Sequence, residues 1–367
     1  MFLKNFKITN FKNIENAKLI FSEKLNCFTG NNGSGKTNLL DALHYLSFTK
    51  SYFNTSDSLS VKHDETFFVI QGEFIRNGKT ENIYCAYEKD KKKTVKRNDK
   101  IYKRFSEHIG LLPVVTVSPS DAILITGTGE ERRKYIDSVI SQYDKEYLYE
   151  LIKYNKILSQ RNRLLKNYLT SRYFDADTIA VYNEQLSKSG LNIYQKRKSF
   201  ITDLIPIFNE YYETVSGKNE TVSIEYVSHL NENNFLDLLL QTIEKDKILG
   251  YTGKGIHRDD LALSINNFQL KKAGSQGQQK TFLIALKFSQ FQFIKNVSKV
   301  NPLLLLDDIF DKFDAQRVSE IIKLTNNNFG QIFLTDTNPE RVKKILKGKN
   351  QNFKLFHTEK GNFSEIY

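Results

Sequence analysis

The chain has 367 residues, 40% hydrophobic and 13% aromatic, which excludes a disordered polymer and allows two or three packed domains. Its formal charge is +12, from 54 Lys and Arg against 42 Asp and Glu, and favours a polyanionic partner. Cys27 and Cys85 supply neither a disulfide framework nor a zinc spacing, and no apolar run approaches the roughly 18 residues of a membrane helix, so a cytoplasmic protein with no membrane partner is expected.

Residues 2–29 read as two strands around a turn, FLKNFKITNF and AKLIFSEKLNCFTG. The second runs into Gly30-Asn31-Asn32-Gly33-Ser34-Gly35-Lys36-Thr37, which satisfies G-x-x-x-x-G-K-[ST] at every fixed position. Residues 38–46 then carry apolar side chains at helical spacing. A strand, a glycine-rich loop and a helix in that order let backbone N–H groups and a helix N-terminus face phosphate oxygens. Lys36 is placed to reach the β- and γ-phosphates, and the Thr37 hydroxyl to ligate Mg²⁺. A nucleoside triphosphate is the expected ligand.

Strand character returns at residues 66–74 and 82–87. Residues 89–104, KDKKKTVKRNDKIYKR, hold nine basic and two acidic side chains. This is either a solvated hairpin tip or a contact to a phosphate backbone through Lys91, Lys92, Lys93, Lys96 and Arg97. Residues 111–121 read as a buried strand ending in Ser-Pro-Ser-Asp, where Ser120 or Asp121 is a candidate cap. From 130 to about 212 the pattern is helical, with Pro206 expected to interrupt it. Residues 151–200 are a second basic stretch, ten Lys and Arg against three acids. After a strand at 222–228, GKGIHRDD (253–260) gathers His257, Asp259 and Asp260. Three consecutive polar residues do not converge on one metal in a helix or strand, so a turn packed near the nucleotide site is expected instead. A hairpin around Asn266-Asn267 follows, then Ser275 as a candidate N-cap for an apolar helix and a second anion-facing helix start.

Residues 302–308, PLLLLDD, form an apolar strand ending in two carboxylates. Behind a phosphate loop this is the Walker B pattern, with Asp307 holding Mg²⁺ and Asp308 polarising the attacking water. Residues 329–338 read as another buried strand ending in a polar turn at the same site, and the tail as a helix and a strand pair.

Together NFKITNFKN, GNNGSGKTNLLDALHYLS, SPSDAILITGTGEERRKYID, YNKILSQRNRLLK, GIHRDDL, SQGQQKTFLIALK and LLLLDDIFDKFD resemble the ATPase heads of the ABC/SMC class, and most closely the bacterial RecF recombination-mediator family. The resemblance implies an α/β fold: an ABC-ATPase (SMC/Rad50-like) head without a long coiled coil. Its phosphate-loop lobe would span 1–120 and 298–367, and a mainly helical second lobe 121–297. Gly30, Asn31, Asn32, Gly33, Ser34, Gly35, Lys36, Thr37 and Asn38 would cradle ATP, with Lys36 and Asp308 catalytic. Ser275, Gln276, Gly277, Gln278 and Gln279 are similar to the ABC signature, which contacts ATP bound to the other subunit of a head-to-tail dimer. Asp314 resembles the D-loop acid at the dimer seam. Departures from the pattern are the absence of a metal-sensing glutamine near Val117 and Ser118 and of a switch histidine after 331–335, where Asp336 or Thr337 stands. Aspartate replaces the usual glutamate at Asp308, and Ile256 stands where relatives have proline. Slow, DNA-stimulated hydrolysis is therefore expected, with ATP acting as a switch. The implied partners are gapped or junction DNA and RecR-, RecO- and RecA-type proteins. The alternative is an ABC-type ATPase of a defence or nuclease system.

Overall fold

The computed structural model describes residues 1–217, 220–310, 321, 329–346 and 353–366, and contacts divide the chain into two units. Unit 1 takes Met1–Asp121, Thr214–Ser216 and Leu283–Tyr367, and unit 2 takes Ala122–Glu213 and Gly217–Phe282. Residues 283–297, assigned to the second lobe from sequence, pack in unit 1: the rings of Phe288 and Phe291 sit 4.9 and 4.5 Å from that of Phe329.

Unit 1 opens with three strands where the pattern suggested two. β1 (Phe2–Phe11) and β2 (Ile14–Ile20) form a hairpin, while β3 (Leu25–Thr29) belongs to another sheet. Asn26 makes the break: its amide accepts from Ser22 N at 2.8 Å and donates to Ser22 O at 2.9 Å, so the chain turns there. β4 (Phe67–Arg76), β5 (Lys79–Glu88), β6 (Thr94–Arg97) and β7 (Lys100–Ile101) complete an antiparallel sheet in the order β2-β1-β4-β5-β6-β7. Its tight turns at Asn77-Gly78 and Asn98-Asp99 have positive φ at both residues, as the twist of two-residue hairpins demands.

The second sheet adds β8 (Val114–Val117), β12 (Leu303–Asp307), β13 (Ile332–Asp336), β14 (Phe353–Glu359) and β15 (Asn362–Glu365). The order is β15-β14-β3-β13-β12-β8, parallel throughout except for β15. Strands β3, β8, β12 and β13 are buried along their whole length, which is why they read as unbroken apolar runs rather than alternating ones. Helix α1 (Lys36–Phe48) shares one apolar core with both sheets, through Leu39, Leu43 and Leu46 among Phe11, Phe68, Phe28 and Phe333. The parallel order brings the C-terminal ends of β3, β12 and β13 to one edge, where open α/β sheets place their ligands.

Unit 2 is mainly helical: α2 (Ile123–Thr126), α3 (Gly129–Ser141), α4 (Lys145–Ser171), most of α5 (Ala176–Ser216), α6 (Phe235–Gln241), α7 (Ile243–Leu249), α8 (Leu270–Ala273) and the start of α9 (Gln276–Ser298). A small sheet, β11-β10-β9, joins β9 (Val222–Val227), β10 (Asp260–Ile265) and β11 (Phe268–Gln269). Asp144 and Asp175 start α4 and α5 by accepting from Tyr147 N and Thr178 N. Pro206 does not interrupt the helical region: it lies inside the 41-residue α5, about 60 Å long at 1.5 Å per residue. Apolar neighbours of the proline, Leu204 and Phe208, are both fully buried, and that packing offsets the ~3 kcal/mol a helical proline costs.

Two arginines lie inside this unit. Arg161 donates to Asn183 Oδ1, Asp246 Oδ2 and Thr252 Oγ1 at 2.7–2.8 Å. Arg197 bridges Asp137, Asp259 and the Ile256 carbonyl at 2.8–3.1 Å. Arg161 ties α4 to α5, α7 and Thr252, and Arg197 ties α5 to α3 and the 253–260 turn.

Candidate nucleotide site

The loop 30–35 leaves β3 and enters α1 at Lys36. Gly30 is dictated by close approach, since a Cβ there would lie 2.2 Å from the Thr358 carbonyl of β14. Gly35 precedes the helix at φ +116°, a conformation side chains resist. The Lys36 ammonium curls into the loop, donating to Gly30 O at 2.7 Å and Asn31 O at 2.8 Å. Burial pulls its pKa below the ordinary lysine range, against the opposing charges of Asp308, Asp307 and Asp336. Ser34 Oγ is buried in the same loop with no hydrogen-bond partner.

Across the sheet edge, the Thr37 hydroxyl meets both oxygens of Asp307, at 2.9 and 3.0 Å, although 270 positions separate them. Thr335, at the end of the intervening strand, donates to Asp307 Oδ1 at 2.8 Å and accepts from Asp308 N at 3.0 Å. Burial raises the Asp307 pKa, while the two threonine hydroxyls oppose the rise. Asp336 is fully buried and also raised by burial; its Oδ1 accepts from Asn338 N at 2.7 Å. A cation bridged by Thr37 and Asp307 fits this donor set, because Mg²⁺ takes few protein oxygens and completes its octahedron with phosphate and water.

Ser275 and Gln278 form a reciprocal capping box: Gln278 N donates to Ser275 Oγ at 3.2 Å, and Ser275 N to Gln278 Oε1 at 2.7 Å. Gln278 Nε2 also donates to Glu220 at 2.8 Å, and Gln279 Nε2 to Gly274 O at 3.0 Å. The glutamine-rich start is thus explained as a cap built from amides, leaving Gln276 and Gly277 as the first-turn N–H groups outside the box.

The sequence matches the family model described as AAA ATPase domain over residues 1–235. The DNA replication and repair protein RecF of Flavobacterium johnsoniae is 49% identical over 97% of this chain and 100% of its own length. That of Parabacteroides distasonis is 50% identical over 98% of each chain. The chain belongs to the RecF family. The solved structure of the recombination mediator protein RecF-ATP in the RecFOR pathway superposes with a TM-score of 0.90 at 29% identity, covering 100% of this chain and 98% of that one. An Smc head bound to the C-winged helix domain of ScpA, at 15% identity and TM-score 0.58, covers 100% of this chain and 97% of that one and shows the shared fold.

Within this RecF-family framework the remaining expected residues divide. Asn38 Nδ2 donates to Asn13 Oδ1 at 2.7 Å, and Asn13 Nδ2 to Gly33 O at 3.2 Å. Gly361 N donates to Ser34 O at 2.7 Å, so the β1–β2 and β14–β15 turns both brace the loop. Sequence reasoning missed Asn13, Thr335 and Gly361. Only Gly361, in a Lys-Gly turn, carried a local signal. Asp314 lies outside the described residues. Of the basic hairpin, Lys93 pairs with Asp57 at 2.8 Å, Arg97 forks onto Glu81 at 2.6–2.8 Å, Lys91 meets Glu88 at 2.7 Å, and Lys96 lies over the Tyr84 ring. Lys92 is exposed. His257, Asp259 and Asp260 face different partners: Tyr154, then Arg197 and Tyr226, then Arg132. Among the described residues no group of three or more His, Cys, Asp or Glu is gathered for a metal. The turn packs against helices of unit 2, where burial pushes His257 down to about 4 and raises Asp259. No helix of the described residues is long and apolar enough to cross a membrane.

Proposed function

We propose that the chain is an ATP-dependent DNA-binding protein of recombinational gap repair, in which ATP closes a head-to-tail dimer on DNA and slow hydrolysis reopens it. The observation that carries this reading is the union of Thr37 with Asp307 beside a phosphate loop that holds Lys36. Lys36 supplies a buried cation for the β- and γ-phosphates, and backbone N–H groups of 30–37 supply the rest of the cradle. Mg²⁺, held by Thr37 and Asp307, neutralises phosphate charge when bound. Asp308, one residue on, is the general base for water. The first-turn N–H groups of Gln276 and Gly277, capped in place by Ser275 and Gln278, approach ATP on the other subunit. RecR-, RecO- and RecA-type proteins are the partners, following the pathway named for the solved relative.

The test is the mass of the protein in solution with ATP, with ADP, and for Asp308→Asn with ATP, each with and without gapped duplex. An ATP-dependent dimer that persists in Asp308→Asn and is lost in Ser275→Arg is expected. A monomer under every condition would remove the trans-signature mechanism.

A further inference from the structure

In the basic hairpin, Lys91, Lys93 and Arg97 are held against carboxylates. Another cluster, in unit 2, holds its cations without neutralising them. In the 253–260 turn, the Lys254 ammonium lies 3.0 Å from His229 Nε2, and the Arg258 guanidinium lies over the exposed ring of Tyr251 at 5.2 Å. Among the described residues neither Lys254 nor Arg258 forms an ion pair. An imidazole acceptor and an aromatic face fix where a positive charge sits, yet leave that charge and most of its N–H donors available.

The turn is fastened with unusual thoroughness from below. Arg197 donates to Ile256 O at 2.8 Å, Arg133 to Asp259 O at 2.6 Å, and Gly253 N to Asp246 at 2.9 Å. Tyr154 and Thr252 O hold His257 from both sides of its ring, at 2.8 and 2.9 Å. Gly255, at φ +129°, lets the backbone lie on Phe235, where a Cβ would fall 2.6 Å from the ring. Burying arginines and aspartates carries a desolvation cost that hydrophobic packing would avoid. What such a network provides is a fixed backbone, and here that backbone carries the half-buried Lys254 and the exposed Arg258. His229 registers both cations, since burial first and then Lys254 depress its pKa, with Arg258 adding to the effect.

We propose that Lys254 and Arg258, with His229 and Tyr251 as their supports, form a pre-organised contact for the phosphodiester backbone of DNA. The inference rests on the DNA-binding reading above and locates that binding in the GKGIHRDD turn rather than in the 89–104 hairpin. An arginine laid on an aromatic ring beside a lysine grips successive phosphates without reading bases, which suits a sequence-independent ligand.

The experiment is a salt titration of binding to a gapped duplex between 50 and 200 mM, comparing wild type, Lys254→Gln/Arg258→Gln and, as a control of equal charge change, Lys91→Gln/Lys92→Gln. Each lost phosphate contact lowers the log–log salt slope by about 0.9 on duplex and about 0.7 on single strand. The turn variant is expected to lose about 1.4–1.8 units of slope and at least tenfold in affinity at 100 mM, with the hairpin control much nearer wild type. Arg258→Lys, which keeps the charge, is expected to retain the slope, and thermal melting of each variant checks the fold. Equal losses in the two double variants would overturn the proposal, because charge alone would then explain them. A wild-type chain that binds no gapped duplex would refute the DNA reading itself, and this inference with it.

Discussion

Gly30→Ala tests whether the phosphate loop is shaped by its neighbouring strand. The new Cβ would stand 2.2 Å from the Thr358 carbonyl oxygen and 3.1 Å from Ser34 Oγ. Ordinary contact begins near 3.4 Å, so about 1.2 Å must be found. Ser34 can rotate, but Thr358 O is backbone of β14, whose register with β3 is fixed through Phe356↔Phe28 and His357↔Thr29. Either β14 parts from β3 or the loop opens. Overpacking of this kind costs about 1–3 kcal/mol, and a 1 Å misplacement of binding groups costs about 10²-fold. Gly33→Ala is the matched control: it has nothing within 4 Å, and its φ of +76° carries only the backbone strain of about 1–2 kcal/mol. Urea unfolding and titration with a non-hydrolysable ATP analogue are the assays. Gly30→Ala is expected to lose about 2 kcal/mol of stability and about 100-fold in affinity, whereas Gly33→Ala is expected to lose about 1–2 kcal/mol of stability with a much smaller change in affinity. An affinity within threefold of wild type, with unchanged melting, would refute the argument.

Thr335→Val keeps the shape of a fully buried side chain but removes one donor to Asp307 and the acceptor for Asp308 N. A loss of about 1–3 kcal/mol in urea unfolding is expected, together with at least tenfold in ATPase rate. Unchanged hydrolysis would show that the carboxylate needs no second hydroxyl. His44, buried on α1 beside Thr116 and stacked on Phe48, is pushed down to about 3 by burial. Its folded pKa lies below the unfolded value, so its share of stability is complete above the unfolded pKa and is lost as pH falls towards 3. At pH 5, about 1.5 units below that value, the loss is about 2 kcal/mol. His44→Gln is expected to flatten the fall in melting temperature between pH 7 and 5, and an unaltered slope would contradict it.

The phosphate loop, the acid-tipped strand and the capped helix at Ser275 were legible because each is a short stretch whose chemistry and geometry are both local. The hairpin at Asn266-Asn267 was legible for the same reason, and both residues take positive φ. What escaped was what the fold supplies from a distance. Asn13 and Gly361 touch the loop only because β1–β2 and β14–β15 turn beside it, and Thr335 becomes a ligand of Asp307 only when β13 inserts between β3 and β12. Pro206 misled because helix propensity is a weak prior where packing is dense. The charge count of 89–104 could not show that Lys93 and Arg97 are tied to Asp57 and Glu81, which lie on other elements.

The bracing of the phosphate loop also sets a timetable for synthesis. β3 is made within the first thirty residues, yet its neighbours in the sheet are β13 and β14, and the turn that holds Ser34 is at Gly361. About 330 residues must follow Gly30 before the loop is supported, roughly 20–60 s at ~5–20 residues per second. During that interval the apolar strand LNCFT lacks both partners, whereas all of unit 2 is already available to fold. A nascent chain stopped short of β14 would carry every residue of the phosphate motif without the strand and turn that brace it.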